Sequence, residues 1–403
     1  MMLNYARLDQ ISREYGDSFY LLNSSLYEDN YCKMLDAFQK YYPNTHIAYS
    51  YKTNYIPKLC RIIQRLGGYA EVVSEMEMEL ALSLGVESVN IYYNGPYKKE
   101  NYIEKLMLGE GYLNIDADYE IAIVSKIAER HRDREFVVGV RYNMDIGQDV
   151  PSRFGIPKED LKCAIERLNR IPNLRVTGLH CHLPFRSPDS FQARMKDLKE
   201  LLFGEMKGYV WSYISLGGGY MGEVSDELAG QFSFAPPKYE DYAKIVAGQM
   251  AELYQNHAEK PKLIIEPGSA LAANTMCFVT RVVNIKKVRG KAIATLTGST
   301  YNINPSVKSI KRPITVYSDK GQEQYEDLDM AGYTCIESDY LYKNYSGSLS
   351  VGDFVVFHNV GSYSIVMKPP FILPDVPILE FENGNLCLIR KSQSIERVFM
   401  DFL

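Results

Sequence analysis

Ala48-Tyr49-Ser50-Tyr51-Lys52-Thr53-Asn54 closes the first short apolar run of this chain, and seven further strand-like runs follow it with helical patterns between them. Strands are predicted over 46–51, 69–74, 89–94, 112–116, 136–142, 174–180, 209–216 and 262–266, and helices over 56–66, 75–84, 118–130, 158–171, 190–203 and 239–257. Eight alternations in about 230 residues imply, by order and size, an α/β chain built on a (β/α)8, TIM-like barrel. After Gly268 the texture changes. Short segments such as 314–317, 353–359 and 377–382 are separated by Gly, Asp and Asn without long helical intervals, which predicts a second, β-rich and barrel-like domain. The expected division is 28–268 for the barrel, with 1–27 and 269–403 forming the β-rich domain and 19–22 adding a strand to it.

In such a barrel chemistry gathers where strands end, because the loops there converge on one pocket. Lys52, Glu71, Asn94, Arg141, His180, His182, Gly217–Gly219 and Glu266 fall at or near predicted strand ends. A lone lysine there reads as solvated. Within this ring, Lys52 is a candidate to attack a carbonyl as the free amine. In Leu216-Gly217-Gly218-Gly219-Tyr220, three glycines let backbone N–H groups approach an anion, although alone the run reads more readily as a tight turn. Glu266-Pro267-Gly268 ends the eighth strand, and the loops after strands 7 and 8 are the usual phosphate site of a barrel. A carboxylate would repel a phosphate, so Glu266 is better aimed at a cation such as the pyridinium nitrogen of pyridoxal 5'-phosphate (PLP). His180 and His182 stand two apart, which fits a metal pair, an aromatic plate on a cofactor ring, or a structural pair. His46, His131, His257 and His358 show no paired spacing that would supply further metal ligands.

The 403 residues are 46% hydrophobic and 24% charged, enough for two full cores. A net charge of −5 without a basic block argues against nucleic acid as a partner. Seven scattered cysteines without a Cys-x-x-Cys pair argue against a disulfide framework and a zinc cage, so no metal is expected. The first thirty residues lack an apolar signal core and no 18-residue apolar run occurs, which predicts a cytoplasmic protein without membrane contact. Tyrosine is abundant, 32 against 16 Phe, with no functional reason visible in the sequence.

In their order, and over nearly the whole chain, these motifs resemble the fold type III PLP-dependent decarboxylases, which include diaminopimelate, ornithine and arginine decarboxylases. Ala48–Asn54 resembles the cofactor-lysine segment of that family, Glu71-Val72-Val73-Ser74-Glu75-Met76-Glu77 its second-strand motif, and Arg153-Phe154-Gly155 a family turn. His180-Cys181-His182 carries the stacking histidine, by position His182; Gly217–Gly219 and Glu266-Pro267-Gly268 look like the phosphate loop and pyridinium acid. Cys335-Ile336-Glu337-Ser338-Asp339-Tyr340-Leu341 resembles the segment whose cysteine enters the partner subunit's site, and Gly361-Ser362-Tyr363 the segment that reaches the phosphate. The resemblance implies catalytic roles for Lys52, His182 and Cys335, and cofactor contacts from Glu71, His182, Gly217, Gly218, Gly219, Glu266, Gly268 and Tyr363. It also implies a homodimer with shared active sites, in which Cys335 or Lys52 returns a proton after CO2 leaves.

Departures from the family pattern fall where the substrate's far end would bind. Ser269 stands in place of the arginine that follows Glu-Pro-Gly in diaminopimelate decarboxylases, and Asn304-Pro305-Ser306-Val307-Lys308 replaces an Arg-Pro-x-x-Tyr segment. Ile336 stands where an acid follows the cysteine, with Glu337 one position later; Leu183-Pro184-Phe185 lacks the phosphate serine, for which Arg186 or Ser187 could compensate. Tentative substrate residues are therefore Arg141, Ser269, Asn304, Lys308, Glu337 and Asp339, with Lys311 and Arg312 as further anion contacts unless they form an ordinary solvated basic turn. The expected function is a decarboxylase of altered specificity, acting on an amino acid, free, conjugated or carried by a protein. Genuine diaminopimelate decarboxylase, a racemase or epimerase, and a non-catalytic regulator are the alternatives.

Overall fold

A computed structural model describes residues 3–306, 310–319, 321, 323–368, 370–382 and 384–402. The chain divides into two compact units, one of residues 28–222 and 236–271, the other of residues 1–27, 223–235 and 272–403. Strand β1 (Phe19–Leu22) belongs to the second unit; the first holds β2 (Thr45–Ser50), β3 (Tyr69–Val72), β4 (Ile91–Tyr93), β5 (Tyr112–Ile115), β6 (Phe136–Arg141), β7 (Leu174–His180), β8 (Tyr213–Ser215) and β9 (Lys262–Ile265). These eight pair in parallel, in chain order, and β9 closes on β2.

Side chains alternate along a strand, so one face of each strand looks into the barrel. Tyr69 and Glu71 share that face on β3, as do Tyr112, Asn114 and Asp116 on and after β5, Tyr213 and Ser215 on β8, and Lys262, Ile264 and Glu266 on and after β9. The series on β3, β5 and β8 climb from a tyrosine at the strand start to a polar residue at the strand end, and the β9 series starts on Lys262, whose ammonium reaches the tyrosines. The lower layer is a plug of tyrosines. Tyr92 stacks on Tyr112 with centroids 4.2 Å apart, Tyr69 and Tyr213 meet them edge-on, and Lys262 Nζ lies 3.0 Å from the Tyr112 hydroxyl. Gly178 makes room for this plug, since a Cβ there would lie 2.0 Å from Tyr213 Cζ.

Several expected elements differ. The run 209–216 contributes only Tyr213–Ser215 to the barrel, because Tyr209 and Trp211 stack on each other outside the ladder and Val210 is 71% exposed. Helices Tyr5–Tyr15, Ser24–Gln39 and Glu100–Leu108 are additional, and the expected helix 239–257 is interrupted by a wide turn at Lys244–Gly248. No helix among the described residues is long and apolar enough to cross a membrane.

The second unit adds β10 (Met276–Val288), β11 (Lys291–Leu296), β12 (Ile314–Tyr317), β13 (Glu323–Ala331), β14 (Tyr340–Leu349), β15 (Phe354–Phe357), β16 (Ile378–Glu382) and β17 (Asn385–Arg390). Its nine strands form a branched sheet in the order β14-β13-β11-β10-β1-β16-β17, with β15 joining β10 to β12, where the sequence reading expects a barrel-like domain. β1 runs antiparallel to β10 and parallel to β16, and its Phe19 and Leu21 pack with Val279, Phe354, Val356 and Leu379. Residues 223–235 also leave the expected 28–268 span for this unit. Gln231 holds them there, its amide nitrogen 2.9 Å from the Lys311 carbonyl and its amide oxygen 2.8 Å from the Lys311 N–H.

Gly178→Ala forces a methyl into the Tyr213 ring, so it is expected to cost about 1–3 kcal/mol, the usual range for overpacking a well-filled core. Thermal unfolding is the measurement, and an unchanged midpoint would mean the plug yields without cost.

Candidate active site

The polar layer at the strand ends encloses a cavity of about 260 Å³, lined by Ser50, Lys52, Glu71, Asn94, Arg141, Arg153, Phe154, His180, His182, Gly218 and Glu266 among others. Lys52 sits in a helical turn just past β2. Its Nζ contacts Glu71 Oε2 directly and lies 3.4 Å from Ser50 Oγ, with the lysine side chain 37% exposed and Glu71 only 1%. Glu71 accepts a hydrogen bond from Asn94 (3.1 Å), Asn94 accepts one from Asn114 (2.8 Å), and Asn114 accepts one from the Tyr213 hydroxyl (2.7 Å). A continuous polar chain thus runs from the lysine at the mouth to the tyrosine plug.

On the adjacent strand end, just past β9, stands Glu266, buried to 4% exposure. His180 Nε2 is 3.1 Å from one carboxylate oxygen, and Ser215 Oγ donates to the other at 2.7 Å. Burial alone would raise its pKa, but the charge and hydrogen bond of His180, the charge of Lys52 and the Ser215 hydroxyl outweigh it and hold the carboxyl well below its usual range. Ser215 accepts from the Gly217 N–H at 3.1 Å, which ties the acid to the glycine loop. Gly217 and Gly219 have φ of +63° and +99°, and a Cβ on Gly217 would meet the His182 side chain at 2.6 Å, so the loop takes this path only as glycine. Gly268 has a packing role: a Cβ there would lie 2.0 Å from Thr53 Oγ1, so its absence lets the Glu266 turn close on the Lys52 turn.

The two histidines do different work. His180 ends β7 and faces Glu266, leaving its buried Nδ1 without a partner. His182 lies beyond the strand, so the alternation expected from spacing no longer applies. Its Nδ1 accepts the Gly218 N–H at 2.8 Å, which leaves Nε2 to carry the proton. Burial, then the charges of Arg141 and Lys52, push its pKa well below 6.5, so the ring is neutral and can lie flat against another ring. Among the described residues no three His, Cys, Asp or Glu side chains gather where they could hold a metal.

Arg141 and Arg153 flank one ring, Phe154, with guanidinium carbons 4.7 and 4.1 Å from its centroid. Arg141 is partly committed to Asp116 at 3.2 Å. Behind it the fully buried Lys98 and Glu120 pair at 2.9 Å, and Glu120 also accepts the Asp116 N–H. No sequence motif marks this pair, Asn114, Ser215 or a guanidinium at Ser269. Arg186 Nη2 lies 3.1 Å from Ser269 Oγ, so the position that lacks an arginine in sequence has one beside it in space.

The remaining predicted residues lie in the second unit. Cys335 and Glu337 are exposed on the loop before β14. Asp339 requires a correction: its buried carboxylate already accepts from Ser299 Oγ (3.0 Å), Thr300 N–H (2.7 Å), Thr334 N–H (3.2 Å) and Thr334 Oγ1 (2.7 Å), so it shapes the Cys335 loop and has little capacity left for a substrate. Asn304, Ile336, Lys311 and Lys343 line a cavity of about 410 Å³. Tyr363 has φ +64°, a strained value for a large side chain. Lys308 lies outside the described residues.

A lysine amine, a buried ionised carboxylate on the adjacent strand end, a neutral imidazole with an orphaned neighbour and a glycine cradle together fit a phosphorylated pyridine aldehyde, and the comparisons agree. The family model described as "Pyridoxal-dependent decarboxylase, pyridoxal binding domain" matches residues 29–273. A diaminopimelate decarboxylase of Archaeoglobus fulgidus is 26% identical over 382 residues, 91% of this chain and 87% of the relative. An L-glutamyl-[BtrI acyl-carrier protein] decarboxylase of Niallia circulans is 25% identical over 426 residues, 99% of this chain and 96% of the relative. The structure of M. jannaschii diaminopimelate decarboxylase in complex with L-lysine superposes with a TM-score of 0.84 at 20% identity, covering 98% of this chain and 94% of that one.

The depressed pKa of His182 has a consequence for stability. Below about 6.5 the unfolded chain takes up a proton on this ring that the folded protein refuses, so its contribution is fully present above 6.5 and declines as pH falls toward the lower folded value. His182→Gln should therefore lose less of its unfolding midpoint than the wild type between about pH 7.5 and about pH 5.5. Equal losses in the two proteins would show that the ring is not held neutral.

Proposed function

We propose that this chain, which belongs to the pyridoxal-dependent decarboxylases, removes CO2 from an α-amino acid bearing a second carboxylate at its far end, with meso-diaminopimelate as the first candidate. Family membership makes it a PLP-dependent carboxy-lyase. When bound, the cofactor supplies an electron sink for the pair left on the α-carbon as CO2 departs. Lys52 would hold its aldehyde, Glu266 its pyridine nitrogen, His182 one ring face, and Gly217–Gly219 its phosphate. Glu71 keeps the Lys52 amine aimed into the cavity through their direct contact. Cys335 or Lys52 returns the proton to the α-carbon.

The observation that carries the substrate class is Arg186 on Ser269. Relatives of the diaminopimelate type place an arginine directly after the Glu-Pro-Gly turn; here the guanidinium reaches the same residue from another loop. That contact weakens the main objection to a diaminopimelate substrate, which rested on Ser269 as a missing cation. Arg153, flanking Phe154 at the cavity, adds a second cationic surface. A second reading, a glutamyl group presented by a carrier protein, draws support from Ile336 and Asn304 and from the similarity to the carrier-protein enzyme.

A panel of meso-diaminopimelate, lysine, ornithine, glutamate and carrier-linked glutamate separates the two by CO2 release. The first reading expects kcat/KM for meso-diaminopimelate of about 10⁴ M⁻¹s⁻¹ or above. Arg186→Ala should then lower that value at least tenfold, roughly the loss of one hydrogen bond to a charged group, with PLP occupancy unchanged. Turnover confined to the carrier-linked substrate would favour the second reading.

The working unit is proposed to be a dimer in which Cys335 completes the partner's site. Mixed Lys52→Ala and Cys335→Ala proteins, each inactive alone, should recover about a quarter of wild-type activity after subunit exchange, because a random heterodimer keeps one intact site of two. No recovery after demonstrated exchange would mean each chain completes its own site.

A further inference from the structure

Behind the glycine loop lies a charge that none of the site described above uses. Arg194, on the helix Pro188–Phe203, is 1% exposed. Its Nη1 donates to the Gly218 carbonyl at 3.1 Å, and its Nη2 donates to the carbonyls of Leu183, at 2.9 Å, and Phe185. The guanidinium lies 4.1 Å over the Phe191 ring, and its buried Nε has no partner. No carboxylate pairs with it among the described residues; the ionisable groups that bear on it are Tyr220, Cys181 and Tyr242. A buried guanidinium with only neutral acceptors is costly, and proteins ordinarily supply an anion.

The three carbonyls belong to two loops. One is the glycine loop; the other is the 183–185 stretch, which lacks the serine that relatives offer to the phosphate. In a trans peptide the C=O and the following N–H point in opposite directions. By drawing the Gly218 carbonyl toward its helix, Arg194 turns the Gly219 N–H away from itself, and that N–H meets no acceptor among the described residues. The close fit excludes a side chain, since a Cβ on Gly219 would lie 2.9 Å from the Phe185 carbonyl and 3.1 Å from Arg194 Nη2.

We propose that Arg194 is the positioning residue of the phosphate cradle: it staples the two loops by their carbonyls, aims the Gly219 N–H at the phosphate, and supplies the positive charge that the phosphate neutralises. The phosphate is the cofactor's, so the inference rests on the reading of Gly217–Gly219 as its cradle. Arg194 touches neither substrate nor cofactor and acts through the backbone it holds.

Cofactor-stripped full-length protein, titrated separately with PLP and with pyridoxal, which lacks the phosphate, tests this. The wild type should bind PLP far more tightly than pyridoxal; equal affinities would sink the cradle reading itself. Given that preference, Arg194→Gln should weaken PLP binding by about 10- to 100-fold and pyridoxal binding by less than about threefold, because a charge-assisted anchor is lost only for the charged ligand. Arg194→Lys, which keeps the charge and one donor, should recover most of the difference. Equal loss for both ligands, no loss for either, or failure of both variants to fold would show a purely structural arginine and overturn the proposal.

Discussion

Glu266 carries an ionised carboxylate almost wholly out of water, and the upper end of the barrel is arranged around compensating it. An unpaired buried carboxylate would neutralise itself by taking up a proton. Here His180, Ser215 and the field of Lys52 hold it charged, and each comes from a different strand end, β7, β8 and β2. Only a closed parallel barrel brings those ends to one level, since the register aligns Arg141 with His180 and His180 with Ser215. The requirement for a permanent acid beside a lysine therefore constrains the fold as well as the chemistry.

The same inward face connects the site to the base of the barrel. Lys52, Glu71, Asn94, Asn114 and Tyr213 form one hydrogen-bonded series, and Tyr213 belongs to the aromatic plug. Rigid aromatics below give fixed acceptors and donors above, so the lysine's partner does not depend on a flexible loop. Part of the tyrosine excess acquires a reason in this way: a phenol fills a barrel floor and still offers a hydroxyl to the polar layer above it.

Arginine serves three distinct purposes around this site. Arg141 lines the cavity and pairs with Asp116 in front of the buried Lys98–Glu120 pair. Arg186 places a guanidinium beside Ser269, and Arg194 binds carbonyls of two loops with no acid partner among the described residues. Residue type and place in a motif distinguish none of these, because what separates them is the partner in space. Asp339 teaches the converse: its motif suggested a substrate contact, while four intrachain donors already satisfy its carboxylate.

Period and punctuation in the chain by themselves determined the barrel, its strand order and the ring of Lys52, Glu71, His180, His182, the glycine loop and Glu266, because strand ends are local features that alternation and Gly or Pro turns mark directly. The short pieces at 209–212 and 89–90 misled, since an apolar run has the same appearance whether it pairs in a ladder or packs outside it, as Tyr209 and Trp211 do. Tertiary structure alone decided which histidine faces the acid, that β1 threads between β10 and β16, and that Arg186 lies beside Ser269. Those outcomes depend on contacts between positions tens to hundreds of residues apart, where the energy lies in pairing and burial that no local pattern encodes.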